Sequence, residues 1–156
     1  AGDAHCRFGA TARKYKYFIY NKKNPFLEDR AWYYPFKVGF ELLEEAAQLI
    51  NNQSNFKAFS KRNTQVRTFE CRIEASQWIQ EDGCLIYQVQ ANRFLRGMVR
   101  ALVSSMLKVG RGTMTISEFQ KLLKEGEQSA ADFSAPAHGL FLVQVHFPEN
   151  YMHLID

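Results

Sequence analysis

The first hydrophobic pattern in the chain has a period of two. Across residues 7–21, Tyr15, Tyr17 and Ile19 alternate with Lys14, Lys16 and Phe18, the spacing of a half-buried, aromatic-rich strand. Residues 22–35 are polar and proline-bearing, with Trp32, Tyr33 and Tyr34 inside them, and predict a loop. Over residues 40–50 the period becomes helical: Leu42, Leu43, Ala46, Ala47, Leu49 and Ile50 oppose Glu44, Glu45 and Gln48. Residues 51–63 are polar again, with Phe56 and Phe59 placed as anchors. Alternation returns over residues 66–79, with Phe69, Cys71, Ile73 and Ala75 on one face and Glu70, Arg72 and Glu74 on the other. Asp82-Gly83 marks a tight hairpin turn, and Leu85, Tyr87, Val89 and Ala91 return as the partner strand.

Residues 94–109 read as a largely buried helix stopped by Gly110 just past its end. Thr115 or Ser117 can cap a further helix to about Lys124, with Glu118 in its first turn and Gly126 closing it. A small-residue loop, 129–137, leads to a last strand that starts at Gly139 and ends near Phe147-Pro148. The order strand–helix–hairpin–helix–helix–strand predicts an α+β fold, a mostly antiparallel sheet covered by helices. With no internal repeat and no break in composition, residues 1–156 read as one domain.

Composition narrows the class. At 46% hydrophobic and 14% aromatic residues the chain can fill a core, which excludes a disordered segment. No apolar run approaches the roughly 18 residues of a membrane span, and the longest candidate, residues 101–109, is broken by Ser104, Ser105 and Lys108. The expectation is a cytoplasmic protein with no membrane partner. Cys6, Cys71 and Cys84 form no CxxC pair, and Cys71 and Cys84 fit small buried hydrophobes better than a disulfide. His5, His138, His146 and His153 are scattered without ligand spacing, so no metal is expected.

The net charge of +4 matters less than its segregation. Arg7, Arg13, Lys14, Lys16, Lys22 and Lys23 occupy a stretch without an acid, and Arg93, Arg96 and Arg100 fall inside apolar text. On a helix over 94–109, Arg93, Arg96, Gly97, Arg100, Ser104 and Lys108 share an arc of roughly 120°. A polar face turned to water explains this arc. So does a face built for phosphate or carboxylate, since every charge on it has one sign. The early strand is equally double: tyrosines interleaved with Arg13, Lys14 and Lys16 suit base stacking with phosphate contacts, and suit an ordinary half-buried strand too. Asp3, Asp29, Asp82, Asp132 and Asp156 all sit in turns, loops or termini, so none has the setting of a nucleophile. The residues by themselves point to a basic α+β domain that binds RNA.

Several segments resemble one family, the tRNA pseudouridine synthases of the TruA type. His5-Cys6-Arg7-Phe8 with Ala10-Thr11-Ala12-Arg13-Lys14-Tyr15-Lys16-Tyr17 is similar to its "HARFxATARxYxY" strand, and Asn55-Phe56-Lys57-Ala58-Phe59 to "DFTAF". Val66-Arg67-Thr68 is similar to "VRT", and Ala91-Asn92-Arg93-Phe94-Leu95-Arg96-Gly97-Met98-Val99-Arg100 to "ANAFLHHMVR". Val109-Gly110-Arg111-Gly112 closes that segment as in the family, and Ala135-Pro136-Ala137-His138-Gly139-Leu140-Phe141-Leu142 is similar to "APPEGLYL".

The resemblance implies isomerisation of uridine to pseudouridine in the tRNA anticodon arm, without cofactor, by a homodimeric enzyme. The family's catalytic aspartate lies in an "AGRTDAGVHA" motif that precedes these segments and is absent from this sequence. The chain therefore resembles the C-terminal part of such an enzyme, expected to be inactive alone. Two catalytic residues carry over: Tyr15, stacking on the flipped uracil and assisting proton removal at C5, and Arg100, pairing with the aspartate. With that aspartate missing, Arg100 is expected to meet solvent, an anion or a rearranged setting. Where the family has two histidines this chain has Arg96-Gly97, so Arg93 and Arg96 are the expected phosphate contacts, with Lys61 and Arg62 in the loop 60–65 next. The resemblance also predicts an open sheet edge along the first strand. Two alternatives stay open: a non-catalytic RNA-binding domain on the same scaffold, and a structural or dimerising module.

Overall fold

A computed structural model describes residues 11–62 and 66–147 of the chain. Strand β1, Ala12–Tyr20, realises the period-two pattern. Tyr17 and Ile19 join the main core and Tyr15 packs against it, whereas Tyr20 belongs with Phe18 to a second, smaller cluster on the other face of the sheet. Side chains alternate along a strand, so Lys14 and Lys16 share that second face. Residues His5 to Phe8, the expected strand start at Arg7, and Pro148 lie outside the described residues.

After β1 come β2 (Trp32–Tyr33), α1 (Phe40–Asn51), β3 (Ile73–Glu81) and β4 (Cys84–Ala91). They are followed by α2 (Met98–Arg111), α3 (Ile116–Glu125) and β5 (Leu140–His146), with short 3-10 turns at Lys57–Phe59 and Ala137–Gly139. The fold is α+β. The sheet runs β2-β1-β4-β3, with β5 also pairing β1. All pairings are antiparallel except the two-residue contact of β1 with β2. Trp32 and Tyr33 fall in the stretch read as loop, and two residues are too few to leave a periodic signal.

The helices pack on one face of the sheet. There the register sets Tyr17, Tyr87 and Trp78 side by side on β1, β4 and β3. The polar atoms of this aromatic row are all paired. The Tyr87 hydroxyl shares a 2.7 Å hydrogen bond with Ser76 Oγ, which itself donates to the Ala47 carbonyl at 3.0 Å, and Trp78 Nε1 donates to Met106 sulfur at 3.3 Å. That satisfaction is what allows hydroxyls and an indole N–H in a dry core. Cys71 and Cys84 are free and buried, in separate clusters.

Four expectations are corrected. The strand expected over 66–79 starts only at Ile73, and a bulge between Ile73 and Ala75 reverses its phase. Cys71 faces the core before the bulge, and Ser76 and Trp78 face it afterwards, so Ala75 is not in the inward row. Helix α2 begins at Met98, not residue 94, behind Gly97 in the left-handed conformation (φ 76°). The helical periodicity ran on upstream because Leu95 is also buried and Phe94 packs on the same core without being helical. At the other end Gly110 lies inside the helix, and Gly112 (φ 86°) is the stop. A Cβ on Gly110 would collide with Val38 Cγ1, so its hydrogen is required by packing rather than by capping. Finally, β1 is not an open edge: β4 covers one side, and β5 together with β2 covers the other. Within the sheet, the exposed large apolar side chains lie instead on β5, at Phe141, Leu142 and Val143.

The α3 reading holds in detail. Thr115 Oγ1 accepts from the Glu118 N–H, and the Glu118 carboxylate accepts from the Thr115 N–H, both at 3.0 Å, completing a capping box. Replacing Thr115 by Ala is expected to lower folding stability by about 1 kcal/mol, measured as a shift of the urea midpoint at constant m-value.

Candidate active site and nucleic-acid interface

β1 starts, β4 ends and α2 begins at one end of the sheet. The register pairs Arg13 with Ala91, and the chain leaving β4 turns through Asn92 and Arg93 toward α2. Tyr15, partly exposed on the helix-side face, lies between Val89 and Leu142 in the sheet. Its ring meets Phe94 edge-on at 4.9 Å. Arg13 shares this face by alternation.

Arg93 and Arg96 are not part of a helical stripe. Arg93 Nη1 donates to the Thr68 carbonyl and hydroxyl at 3.1 Å and to the Glu70 carbonyl at 3.3 Å, tying the approach to β3 against the approach to α2. Arg96 is exposed, and its carbonyl accepts from the Lys61 N–H at 3.1 Å. The Lys61 side chain crosses Gly97, where an added Cβ would meet its Cγ at 2.9 Å and the Phe133 ring at 3.0 Å. Arg62 is exposed beside them. Lys61, Arg62, Arg93 and Arg96 thus collect around the turn before α2, alongside the face that carries Tyr15. Lys14 and Lys16 do not join them, since they lie on the opposite face of the sheet. Residues 63–65 of the expected loop lie outside the described residues.

The cationic stripe on α2 shrinks to Arg100, Ser104 and Lys108, spaced four apart on one face. It is partly covered by the chain itself. Residues 131–136 lie along it: Lys108 Nζ is 3.1 Å from the Asp132 carboxylate, and Ser104 Oγ accepts from the Ala135 N–H at 2.9 Å. Arg100 donates through Nε to the Ala135 carbonyl at 2.6 Å and through an Nη to the Phe133 carbonyl at 3.4 Å. Arg100 was expected to meet solvent, an anion or a rearranged setting, and its hydrogen-bond acceptors among the described residues are neutral backbone carbonyls.

Tyr17 is the residue that sequence reasoning missed here. It is fully buried, donates its hydroxyl to the Pro136 carbonyl, and lies close enough to Arg100 to feel its charge. Burial pushes its phenol well above the usual tyrosine range and the Arg100 guanidinium pulls it partly back, so the group is a donor at any physiological pH. The signal available was the second tyrosine of the Tyr15-Lys16-Tyr17 run, which alternation assigned to the core.

The most pronounced concavities among the described residues lie elsewhere. One of about 570 Å³ opens between Lys16, Phe18, Leu27 and Phe141 on the far face. No group of three or more His, Cys, Asp or Glu converges among the described residues, and none of their helices is long and apolar enough to cross a membrane.

A helix-backed sheet with a tyrosine, a partly buried arginine and a cluster of exposed and half-buried cations at one end defines an α+β domain suited to an anionic partner. A family model described as tRNA pseudouridine synthase matches residues 46–148, which include Arg100 and the basic turn. Proteins named tRNA pseudouridine synthase A extend the match to almost all of the chain. The one from Parabacteroides distasonis is 40% identical over 99% of this chain and 61% of its own length. That of Bacteroides fragilis is 42% identical over 95% and 59%, and that of Pseudothermotoga lettingae 35% identical over 92% and 60%. The chain belongs to the tRNA pseudouridine synthase family. It spans about three-fifths of the length of these curated relatives.

Proposed function

We propose that this chain supplies one wall of the active site of a tRNA pseudouridine synthase acting on the anticodon arm, with Tyr15 and Arg100 as its catalytic residues. The observation that carries the reading is the setting of Arg100. It is a partly buried cation on α2 whose partners among the described residues are carbonyls, so its charge is oriented but not neutralised. An anionic partner at this place, the aspartate of the family's nucleophile motif, would complete it. The reaction then proceeds by breaking the uridine N1–C1′ bond and forming C5–C1′. The proton lost at C5 is balanced by one gained at N1, so no cofactor, oxidant or reductant is consumed. Arg13, Lys61, Arg62, Arg93 and Arg96 provide the electrostatic grip on the tRNA, and the complete enzyme is a cytoplasmic homodimer. Lys14 and Lys16 would meet RNA only if it also reached the far face of the sheet.

The test is pseudouridine formation on unmodified tRNA, scored by chemical labelling and reverse-transcription stops. The 156 residues alone are expected to give no product, and the complete synthase, in which they stand beside an aspartate-bearing segment, to give full conversion. Product from the chain alone would place the nucleophile within it and overturn this assignment. Tight tRNA binding with no product from either form would favour the non-catalytic RNA-binding domain.

Arg96 gives a second, milder test. Its side chain is exposed beside Lys61, so Arg96→Ala is expected to weaken tRNA binding uniformly across tRNAs. The slope of log affinity against log salt should flatten by about 0.7–0.9, one phosphate contact, in filter binding. An unchanged slope would remove Arg96 from the interface.

A further inference from the structure

Residues 131–136 are held against α2 at successive points, and of the two cations on the stripe Lys108 has a carboxylate there whereas Arg100 has backbone carbonyls. Lys108 is matched by Asp132. Burial alone would raise that carboxyl, but hydrogen bonds from Ser134 together with the Lys108 ammonium hold it below the usual range, so the pair is an ion pair at neutral pH. Ser104 is matched by a peptide N–H. Arg100 receives two carbonyls, from Phe133 and Ala135, which fix the direction of a planar guanidinium and leave its full charge available.

Two side chains hold those carbonyls in place. Ser104 Oγ binds the N–H of Ala135, the same residue whose carbonyl binds Arg100, so Ala135 is gripped on both sides. Tyr17 donates to the carbonyl of the next residue, Pro136. Its ring also lies against Gly139, where a Cβ would meet Tyr17 Cζ at 2.8 Å. A tyrosine with no exposed surface is a poor choice over phenylalanine unless its hydroxyl has a task, because a buried hydroxyl must be bonded. Tyr17 stands two residues from Tyr15 on the same face of β1, so the link runs from the strand that carries the tyrosine to the helix that carries the arginine.

We infer that Tyr17 and Ser104 are positioning residues for Arg100, acting through the Ala135-Pro136 peptide run to aim its guanidinium at the reacting uridine's site. This rests on the reading that Arg100 serves the isomerisation. Misaiming a catalytic group by a fraction of an ångström lowers turnover without altering the many phosphate contacts that set affinity.

The experiment is a double-mutant cycle in the complete synthase, with Tyr17→Phe and Ser104→Ala each made in the native and the Arg100→Ala backgrounds. Single-turnover rate, tRNA affinity and thermal midpoint are read for each. Tyr17→Phe keeps the ring and its volume, and Ser104→Ala provides an independent probe on a different element. Each is expected to lower the single-turnover rate by about 10- to 100-fold with affinity within about twofold, and to have no further effect once Arg100 is alanine. A purely structural role would lower the rate by the same factor in both backgrounds, in step with the loss of folded protein, and would overturn the inference. An unchanged rate in both single variants would also overturn it. An Arg100→Ala enzyme with native turnover would instead refute the role of Arg100, and the inference with it.

Discussion

Replacing Tyr15 by Ala in the complete synthase is expected to cut pseudouridine formation by about 10²–10⁴-fold while leaving tRNA affinity within about threefold. The reason lies in what surrounds the ring. Tyr15 is fixed by strand neighbours on both sides, Val89 and Leu142, and by the Phe94 ring, 4.9 Å away and nearly perpendicular to it, yet it keeps partial exposure. It is therefore a held, partly exposed ring, the kind of surface on which a base stacks. Backbone pairing on both sides of β1 does not depend on the side chain, so truncation should leave the strand and the basic turn intact. Tyr15→Phe divides the effect: if the hydroxyl assists proton removal at C5, Phe loses most of the rate, and if the ring alone matters, Phe retains it. Release of tritium from C5-labelled uridine in tRNA reads the proton step directly. Equal losses of binding and turnover on Tyr15→Ala would make Tyr15 a binding residue and remove it from the chemistry.

How far the site could be read from the chain follows from what each signal measures. Periodicity measures burial, so it found β1, α1, the Asp82-Gly83 hairpin and the capped α3, whose faces are buried on a regular period. It failed at the start of α2 for the same reason: Leu95 is buried and Phe94 packs on the core, so the apolar spacing continued through a turn that is not helical. It failed at β3 because one bulged residue exchanges the two faces, and no single residue type announces a bulge. Charge segregation singled out Arg93 and Arg96, which meet Lys61 and Arg62, the pair added by the resemblance, at the turn before α2. Lys14 and Lys16 were counted as RNA contacts with them, although a strand sends neighbouring residues to opposite faces. What the pattern could not supply is the partner of the α2 stripe. Residues 131–136 read as a small-residue loop, and their backbone carbonyls and N–H groups, which carry the contacts to Arg100 and Ser104, are the same in every sequence.

Phe59→Ala is expected to lower folding stability by about 3–5 kcal/mol, a large part of the stability of a domain this size. Phe59 has no exposed surface, and its ring stands 6.4 Å from both Phe56 and Phe119, so it joins the 3-10 turn Lys57–Phe59 to α3. Truncation would remove that joint and leave a cavity between elements already fixed by other contacts: Phe56 pairs with the Phe69 backbone, and Ala58 accepts from the Ala131 N–H at 3.0 Å. With its walls held in this way the cavity can close only partly, which places the substitution toward the costly end of its class. The loss should appear as a lower urea midpoint at unchanged m-value. A functional consequence follows from position. Lys61 lies two residues beyond Phe59 and its N–H is bonded to the Arg96 carbonyl, so loosening the turn loosens the basic cluster before it reaches Tyr15 or Arg100. Below its melting point the variant enzyme should therefore show weaker tRNA binding with a nearly native single-turnover rate at saturation, the reverse of the Tyr15→Ala pattern. A variant that loses less than about 1 kcal/mol would mean that the surrounding rings collapse into the space, and that the turn is held by its backbone bonds alone.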